Sequence, residues 1–409
     1  MSVYRYALSI TSQFPFCSIP FRLDSFSSCQ FACRYCFAAA RGGYTGQSRI
    51  QTADPKALER RLNRLSSGQT PRSVIEEMLA ARVPLHFGGM SDPFMAKERT
   101  SRITLQYLKV LQKHRYPTVV STKSNLCSED PYIGVLRDGD FIVQLSLSTI
   151  DDELGRSLDV GVPLPSERIR VVEKLAAAGI PTMCRIQPLI PSRENDAFRV
   201  IDATLRAGAK HISVEHLKLP IENRSKTVDR MSAIIGVDLR REYSSAAAQR
   251  VGREWIIPAD HRLQRILEFR ERAWAQGATF GAADCDLLPL SDGHSCCSGI
   301  DLHGMQSPYR FTFTQAIKKA KRGRVEFASI EDEWRPQGSI GQFVNSNSRI
   351  ASAPVEDYVR EAWNGRPNSL SPASFYGVSA SGRLDKSGLR IYAISASMQH
   401  LIGARSCKA

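Results

Sequence analysis

The sequence predicts an α/β fold: a partial (β/α)6 TIM-like barrel with a C-terminal α+β extension. Three observations carry this reading. Short apolar runs alternate with helical segments of roughly 10 to 16 residues, the pattern of a parallel sheet with helices outside it. The run 141–147 is almost continuously apolar, as a strand in the interior of such a sheet would be. Glycines punctuate the alternation, with Gly88-Gly89 closing a strand, Gly179 closing a helix and Gly208 preceding a strand.

Taken in order, residues 1–28 form an N-terminal extension with a first strand near its end. Residues 51–69 are charged and helix-prone, and Thr70-Pro71 reads as a helix cap followed by proline in the first turn. A helix over 71–81 leads into a strand over 84–87. A helix over 98–114 presents Ile103, Tyr107, Val110 and His114 on one face and precedes a strand over 118–121. A short helix at 131–137, the strand 141–147, a helix over 166–179 and a strand over 182–187 continue the pattern. A helix over 195–206 and a strand over 211–215 complete about six units. Residues 221–257 read as a charged insertion, and 260–276 as an amphipathic helix bearing Leu263, Ile266, Leu267, Phe269 and Trp274. The expected division is an extension (1–22), the barrel (23–220), a segment completing it and rich in cysteine (221–300), and an accessory region (301–409).

Composition is that of an ordinary globular protein, with 42% hydrophobic and 23% charged residues. No run approaches the roughly 18 apolar residues of a membrane span, and the first residues lack a signal-peptide core. A cytoplasmic protein without a membrane partner is expected. The net charge of +14 is shared between 1–300 and 301–409 and favours polyanionic partners, nucleic acid first among them. The basic run Lys318-Lys319-Ala320-Lys321-Arg322-Gly323-Arg324 is read as a solvated helix face, with phosphate binding as the alternative.

Chemistry concentrates in Cys29-Gln-Phe-Ala-Cys33-Arg-Tyr-Cys36, which lies ahead of the glycine-rich Arg41-Gly42-Gly43. Three thiolates hold three irons of a [4Fe–4S] cube and leave the fourth open. Spacings of four and three are also helical, but Gln30, Arg34, Ser27 and Ser28 make a poor core helix. The residues alone indicate an iron–sulfur cluster or, failing that, zinc. A second group, Cys285, Cys296 and Cys297 with His294 alongside, is a candidate second metal site, for zinc or another cluster; a pair of inert thiols is the plain alternative.

The spacing Cys-x3-Cys-x-aromatic-Cys, with Tyr35 in the aromatic slot, resembles the signature of the radical S-adenosylmethionine (SAM) superfamily. That resemblance implies a radical SAM type of barrel whose open iron is chelated by SAM. Reductive cleavage of SAM then gives a 5′-deoxyadenosyl radical that abstracts a hydrogen atom. A closer likeness runs over about 23–216, through Gly89-Met-Ser-Asp-Pro-Phe-Met-Ala-Lys-Glu98, Ser121-Thr-Lys-Ser124, Leu145-Ser-Leu-Ser-Thr149 and Gln187-Pro-Leu-Ile-Pro191. These stretches look like the spore photoproduct lyase-like, "DNA repair photolyase" branch. The chain departs from that branch at Leu158-Asp159-Val160-Gly161, and it has no cysteine between Cys36 and Cys127.

In such a barrel the site lies at the C-terminal ends of the strands. The polar groups there are Gly88-Gly89 with Ser91, Lys123-Ser124, Ser146 with Ser148, Arg185 with Gln187, and Glu215-His216. The resemblance implies that Gly88 and Gly89 meet the SAM amine and that Lys123, flanked by Ser124, meets its carboxylate. Ser146 and Arg185 take ribose or carboxylate contacts, and Tyr35 and Ser91 complete the set. A flavodoxin- or ferredoxin-type reductant is implied as electron donor. Nucleic acid is the substrate expected from branch likeness and charge. The alternatives are a peptide-modifying enzyme with an auxiliary cluster at Cys285/Cys296/Cys297, and a non-catalytic metal module that binds nucleic acid.

Overall fold

A computed structural model describes residues 3–40, 50–221, 225–252, 254–294, 296–341, 344–345, 353–365 and 370–403. The Arg41-Gly42-Gly43 stretch and Cys407 lie outside the described residues. The chain divides into two compact units that interleave along the sequence. One comprises Met1–Ala7, Leu23–Leu58 and His86–Phe280, the other Leu8–Arg22, Glu59–Leu85 and Gly281–Ala409.

Strands β1 (Phe21–Leu23), β2 (Leu85–Phe87), β3 (Thr118–Thr122), β4 (Phe141–Ser146), β5 (Thr182–Leu189), β6 (His211–His216) and β7 (Thr279–Ala282) lie side by side in the order β7-β6-β5-β4-β3-β2-β1, and β3 to β6 fall wholly within the first unit. The pairs β3/β4, β4/β5 and β5/β6 are parallel. Their register sets Ser121 beside Gln144, Ser146 beside Arg185 and Arg185 beside Ser213. The partial barrel expected from the alternation is therefore present as a mostly parallel sheet with helices. Each strand is nearly continuous in buried residues, because helices such as Pro165–Ala177, Glu194–Arg206 and Ala259–Ala275 cover the outer face. Among the described residues no helix is long and apolar enough to cross a membrane.

Two elements differ from expectation for identifiable reasons. The helix expected over 98–114 is two, Ala96–Ser101 and Ile103–Lys113, broken at Arg102 with φ +53°. The buried Glu98 carboxylate accepts the N–H groups of Thr104 (2.8 Å) and Leu105 (3.0 Å), so it caps the second helix and stabilises the break. Residues 221–257 are more than a charged insertion. Helices Ser225–Ile235 and Leu239–Ser245 precede a hairpin, Gln249–Val251 with Glu254–Ile256. Val228, Met231, Ile235, Leu239 and Tyr243 from these helices pack with Leu154, Leu158, Ile190, Leu217 and Leu219, and Tyr35 packs against the same cluster.

In the second unit the helix expected at 71–81 begins later, as Val74–Ala80 after Ser73. Glu76 reaches back to the Arg72 N–H (2.7 Å), which leaves Thr70-Pro71 outside the helix. Strand Leu8–Thr11 pairs in parallel with Val344–Asn345. Strands Arg324–Val325, Arg390–Ile394 and Val378–Leu384 form an antiparallel sheet. Its core is aromatic: Trp363 meets Phe313, Phe327 and Tyr392 edge-on at centroid distances of 5.4, 5.2 and 5.5 Å. The basic run is solvated as expected at Lys319, Lys321, Arg322 and Arg324, but only Lys318 of it lies in a helix. Lys318 is half-buried, its ammonium turned inward to donate to the Ser291 (2.5 Å) and Gly293 (2.6 Å) carbonyls, and Lys319 pairs with Glu333 at 2.5 Å.

Candidate cluster and cofactor site

The loop bearing Cys29, Cys33 and Cys36 has no regular structure until the short helix Phe37–Ala40, so its shape depends on what holds it. Ser27 N–H donates to the Gln51 carbonyl and Gln51 N–H to the Ser27 hydroxyl, both at 3.0 Å. Farther along, the Ala32 and Arg34 N–H groups donate to the carbonyls of Val160 and Leu158, each at 2.9 Å. Cys29 and Cys33 pack against Phe26, Phe31 and Met95. All three cysteines are half-buried free thiols.

Burial above all, with the Asp92 charge adding to it, pushes the Cys29 thiol up to about 12. Cys33 is raised by burial and then by Asp159. Each of the two also feels Cys36. Three thiols within one another's field, in a part-apolar setting hostile to free thiolate, suit a cationic iron centre that takes them as thiolates. Among the described residues no three His, Cys, Asp or Glu side chains converge as ligands of a single ion. A cube that seats each thiolate on its own iron does not require that convergence.

Beside the loop lies a buried ion network. Lys123 Nζ donates to the Tyr35 hydroxyl at 2.7 Å, sits 3.3 Å from Asp159 Oδ1, and lies 5.0 Å from the Tyr35 ring centroid. The Tyr35 hydroxyl donates to Asp159 Oδ1. Arg168 Nη2 donates to Asp159 Oδ2 at 2.8 Å and Arg168 Nη1 to the Ser146 carbonyl at 2.7 Å. Asp159 and Arg168 have side chains only 3% and 0% exposed, so neither charge is met by solvent. Burial works to raise the Asp159 carboxyl, but Lys123 and Arg168 outweigh it and hold it down to about 2.

Further polar residues, some of them predicted and some not, surround this network at the strand ends. Asp92 accepts from the Lys123 N–H (2.7 Å) and the Thr122 hydroxyl (2.8 Å), while its own N–H donates to Cys29 Sγ at 3.5 Å, so it links the end of β3 to the cluster loop. Gly88, at φ +95°, turns the chain out of β2 and donates to the Leu23 carbonyl at 2.9 Å; Gly89 follows in a bend. Ser91 donates to the Phe26 carbonyl (2.9 Å), and Ser124 to the Phe94 carbonyl (2.8 Å). At the ends of β5 and β6, Arg185 Nη2 and Gln187 Nε2 donate to Glu215 Oε2 at 2.6 and 2.7 Å, and Lys218 to Glu215 Oε1 at 2.6 Å. A further polar line, His86 to Ser121 (2.7 Å) to Gln144 (3.2 Å), crosses β2, β3 and β4.

Sequence reasoning missed Asp159 and Arg168 as members of the site. For Asp159 there was a signal, since it stands where the chain departs from the resembling branch. Arg168 lies in a helix and carries no local mark of its role.

A mostly parallel α/β sheet therefore carries a three-cysteine loop with a buried ion network beside it. Residues 25–217 match the model of the radical SAM superfamily and are a radical SAM domain, a catalytic class that employs a [4Fe–4S] cluster and SAM. Curated relatives from Mycobacterium tuberculosis and Mycobacterium bovis, described as uncharacterized proteins, are 25% identical over 210 residues, 49% of this chain. The chain spans 60% of the length of those relatives. Among solved structures, a point mutant of spore photoproduct lyase superposes with a TM-score of 0.52 at 14% identity, covering 68% of this chain and 79% of that one. A mutant of the same lyase with a dinucleoside spore photoproduct gives 0.50 at 13% identity over the same shares. At that identity the likeness is one of fold.

Proposed function

We propose that this protein is a radical SAM enzyme in which Cys29, Cys33 and Cys36 hold a [4Fe–4S] cluster, and that its substrate is nucleic acid. When bound, the cluster and SAM supply a reductively generated 5′-deoxyadenosyl radical that abstracts hydrogen. The observation that carries the reading is the cysteine loop, pinned between Gln51 and 158–160 and packed on Phe26, Phe31 and Met95. An amino-acid cofactor needs acceptors for its ammonium and donors for its carboxylate. The turn at Gly88-Gly89 offers exposed backbone for the first, and Lys123 and Arg185, each held by a carboxylate, offer cations for the second. Tyr35, Ser91, Ser124 and Ser146 complete the proposed set. Tyr35 is fixed by Lys123 and Asp159, so the aromatic side chain preceding Cys36 has one orientation.

The nucleic-acid reading rests on the net charge of +14 and on the branch likeness. A cytoplasmic setting and a flavodoxin- or ferredoxin-type electron donor belong to the same proposal. A peptide substrate is the second reading, favoured by the thiol-rich segment of the second unit, since auxiliary clusters suit that chemistry.

The test is anaerobic reconstitution with iron and sulfide, then assay of 5′-deoxyadenosine from SAM and a chemical reductant. Wild type should produce it, and Cys33→Ser should lose it together with the cluster absorbance. Production by a Cys33→Ser chain of verified iron content overturns the assignment. Stimulation by duplex DNA or RNA supports the substrate class, and stimulation by peptides alone replaces it with the second reading.

A further inference from the structure

Within the second unit, cysteines from three separate stretches of chain meet. Cys17 and Cys297 both interact with the thiol of Cys296, which is 2% exposed. Gln13 ties the fourth thiol to this group: its Nε2 lies 3.8 Å from Cys285 Sγ, while its carbonyl accepts the Cys17 N–H at 3.0 Å. Cys17 stands far from the other three cysteines in the sequence, and the fold carries it to the vicinal pair Cys296-Cys297. His294, by contrast, faces Asp301 at 3.9 Å with its side chain half exposed. The residue beside the vicinal pair is thus Cys17, where sequence spacing suggested His294.

The surroundings are built for negative sulfur. Backbone N–H groups of Ile19 and Ser298 point at Cys17 Sγ (3.4 Å) and Cys296 Sγ (3.3 Å), the hydrogen bonds that tune ligated thiolates. The buried Lys318 ammonium, fixed by the Ser291 and Gly293 carbonyls, acts electrostatically on Cys296. The loop is also tightly held. A Cβ added at Gly281 would stand 1.8 Å from the Cys297 carbonyl oxygen, so only glycine lets that strand pass. The Tyr309 hydroxyl donates to the Phe14 carbonyl at 2.9 Å and braces the turn that carries Cys17. Three thiols in contact and a fourth linked to them through Gln13, with N–H donors and the Lys318 ammonium around them, exceed what a hydrophobic core asks of a thiol.

We propose that Cys17, Cys285, Cys296 and Cys297 form a second, all-thiolate site, separate from the Cys29/Cys33/Cys36 loop, for an iron–sulfur cluster, which seats each thiolate on its own iron and so needs no convergence on a single ion. A single zinc ion would need the four sulfurs around one point, and the experiment sets that outcome against the cluster.

The full chain carrying Cys29→Ala, Cys33→Ala and Cys36→Ala is reconstituted anaerobically, once with iron and sulfide and once with zinc, then desalted and analysed. About four irons with matching sulfide should remain per chain, and a chain that keeps about one zinc but no iron overturns the proposal. Adding Cys17→Ala should lower that iron at least several-fold, whereas adding His294→Ala should leave it in place. A second measurement avoids variants at the site. In the metal-loaded chain, alkylation mapped by mass spectrometry should find Cys17, Cys285, Cys296 and Cys297 protected together and released together by a chelator. Background metal in the triple variant, full retention with Cys17→Ala, or alkylation of the four thiols indifferent to chelation overturns the proposal. Because the first cysteine loop is removed in these chains, failure here leaves the radical SAM assignment standing.

Discussion

Asp159 is the residue on which the electrostatics of the first site turn. Its carboxylate lies between Lys123 and Arg168 and also receives the Tyr35 hydroxyl, in a setting where Arg168 is wholly buried and Lys123 largely so. Removing one partner of a buried set leaves uncompensated charge, which costs about 3–5 kcal/mol. Asp159→Asn keeps the shape and removes the charge, so it should lower unfolding stability by that order and loosen Tyr35. Denaturant titration reads the first and reduced iron retention on reconstitution reads the second. The pH dependence has a definite sign. A carboxyl held down at about 2 against an ordinary 3.8 contributes stability that is complete above 3.8 and drains away as the pH falls through about 2. The gap between wild type and Asp159→Asn should therefore be constant above 3.8 and close below it. A gap that grew on acidification would place the carboxylate elsewhere than between its cations.

At the scale of elements, the turn after β2 shows what the sequence made legible. Gly88-Gly89 was readable as a strand end needing bare backbone, and Gly88 does adopt φ +95°. The sequence did not show why. A Cβ there would stand 2.5 Å from the Ser121 carbonyl oxygen and 2.8 Å from Pro93 Cδ, so the turn is wedged against β3. Gly88→Ala should therefore cost more than Gly179→Ala, which shares a positive φ but meets nothing within 4 Å. The second substitution pays backbone strain of about 1 kcal/mol, and the first adds a clash that should raise the total to about 2–4 kcal/mol. Equal thermal midpoints for the two variants would refute the wedge. Helix and strand periodicity was legible for the same reason as the turn, because it is local. Where distant residues took over, it was not. Glu98 splits a continuous helical pattern by capping its second half. Lys318 leaves an apparently solvated run to hold the carbonyls of Ser291 and Gly293. In the site itself, the cysteine spacing was visible because one loop supplies all three thiols. Arg168 and Cys17 were invisible because only the fold brings them to their partners.

For the whole molecule the consequential property is charge. A net +14 on 409 residues gives a protein that attracts any polyanion, so binding alone says little about substrate. Salt separates the cases. Contacts that neutralise phosphates release counterions, and six or more of them cost a factor of about 10³ in affinity between about 50 and 200 mM salt. If nucleic acid is the substrate, duplex DNA or RNA should raise 5′-deoxyadenosine output several-fold at low salt, and that stimulation should fall with the same steep slope as binding. Heparin offers the charge without the bases, so it should compete for binding yet leave output at its basal level. Stimulation by heparin equal to that by nucleic acid would reduce the effect to general electrostatics. Stimulation that ignores salt would point to a neutral substrate, and the charge would then belong to the surface and not to the reaction.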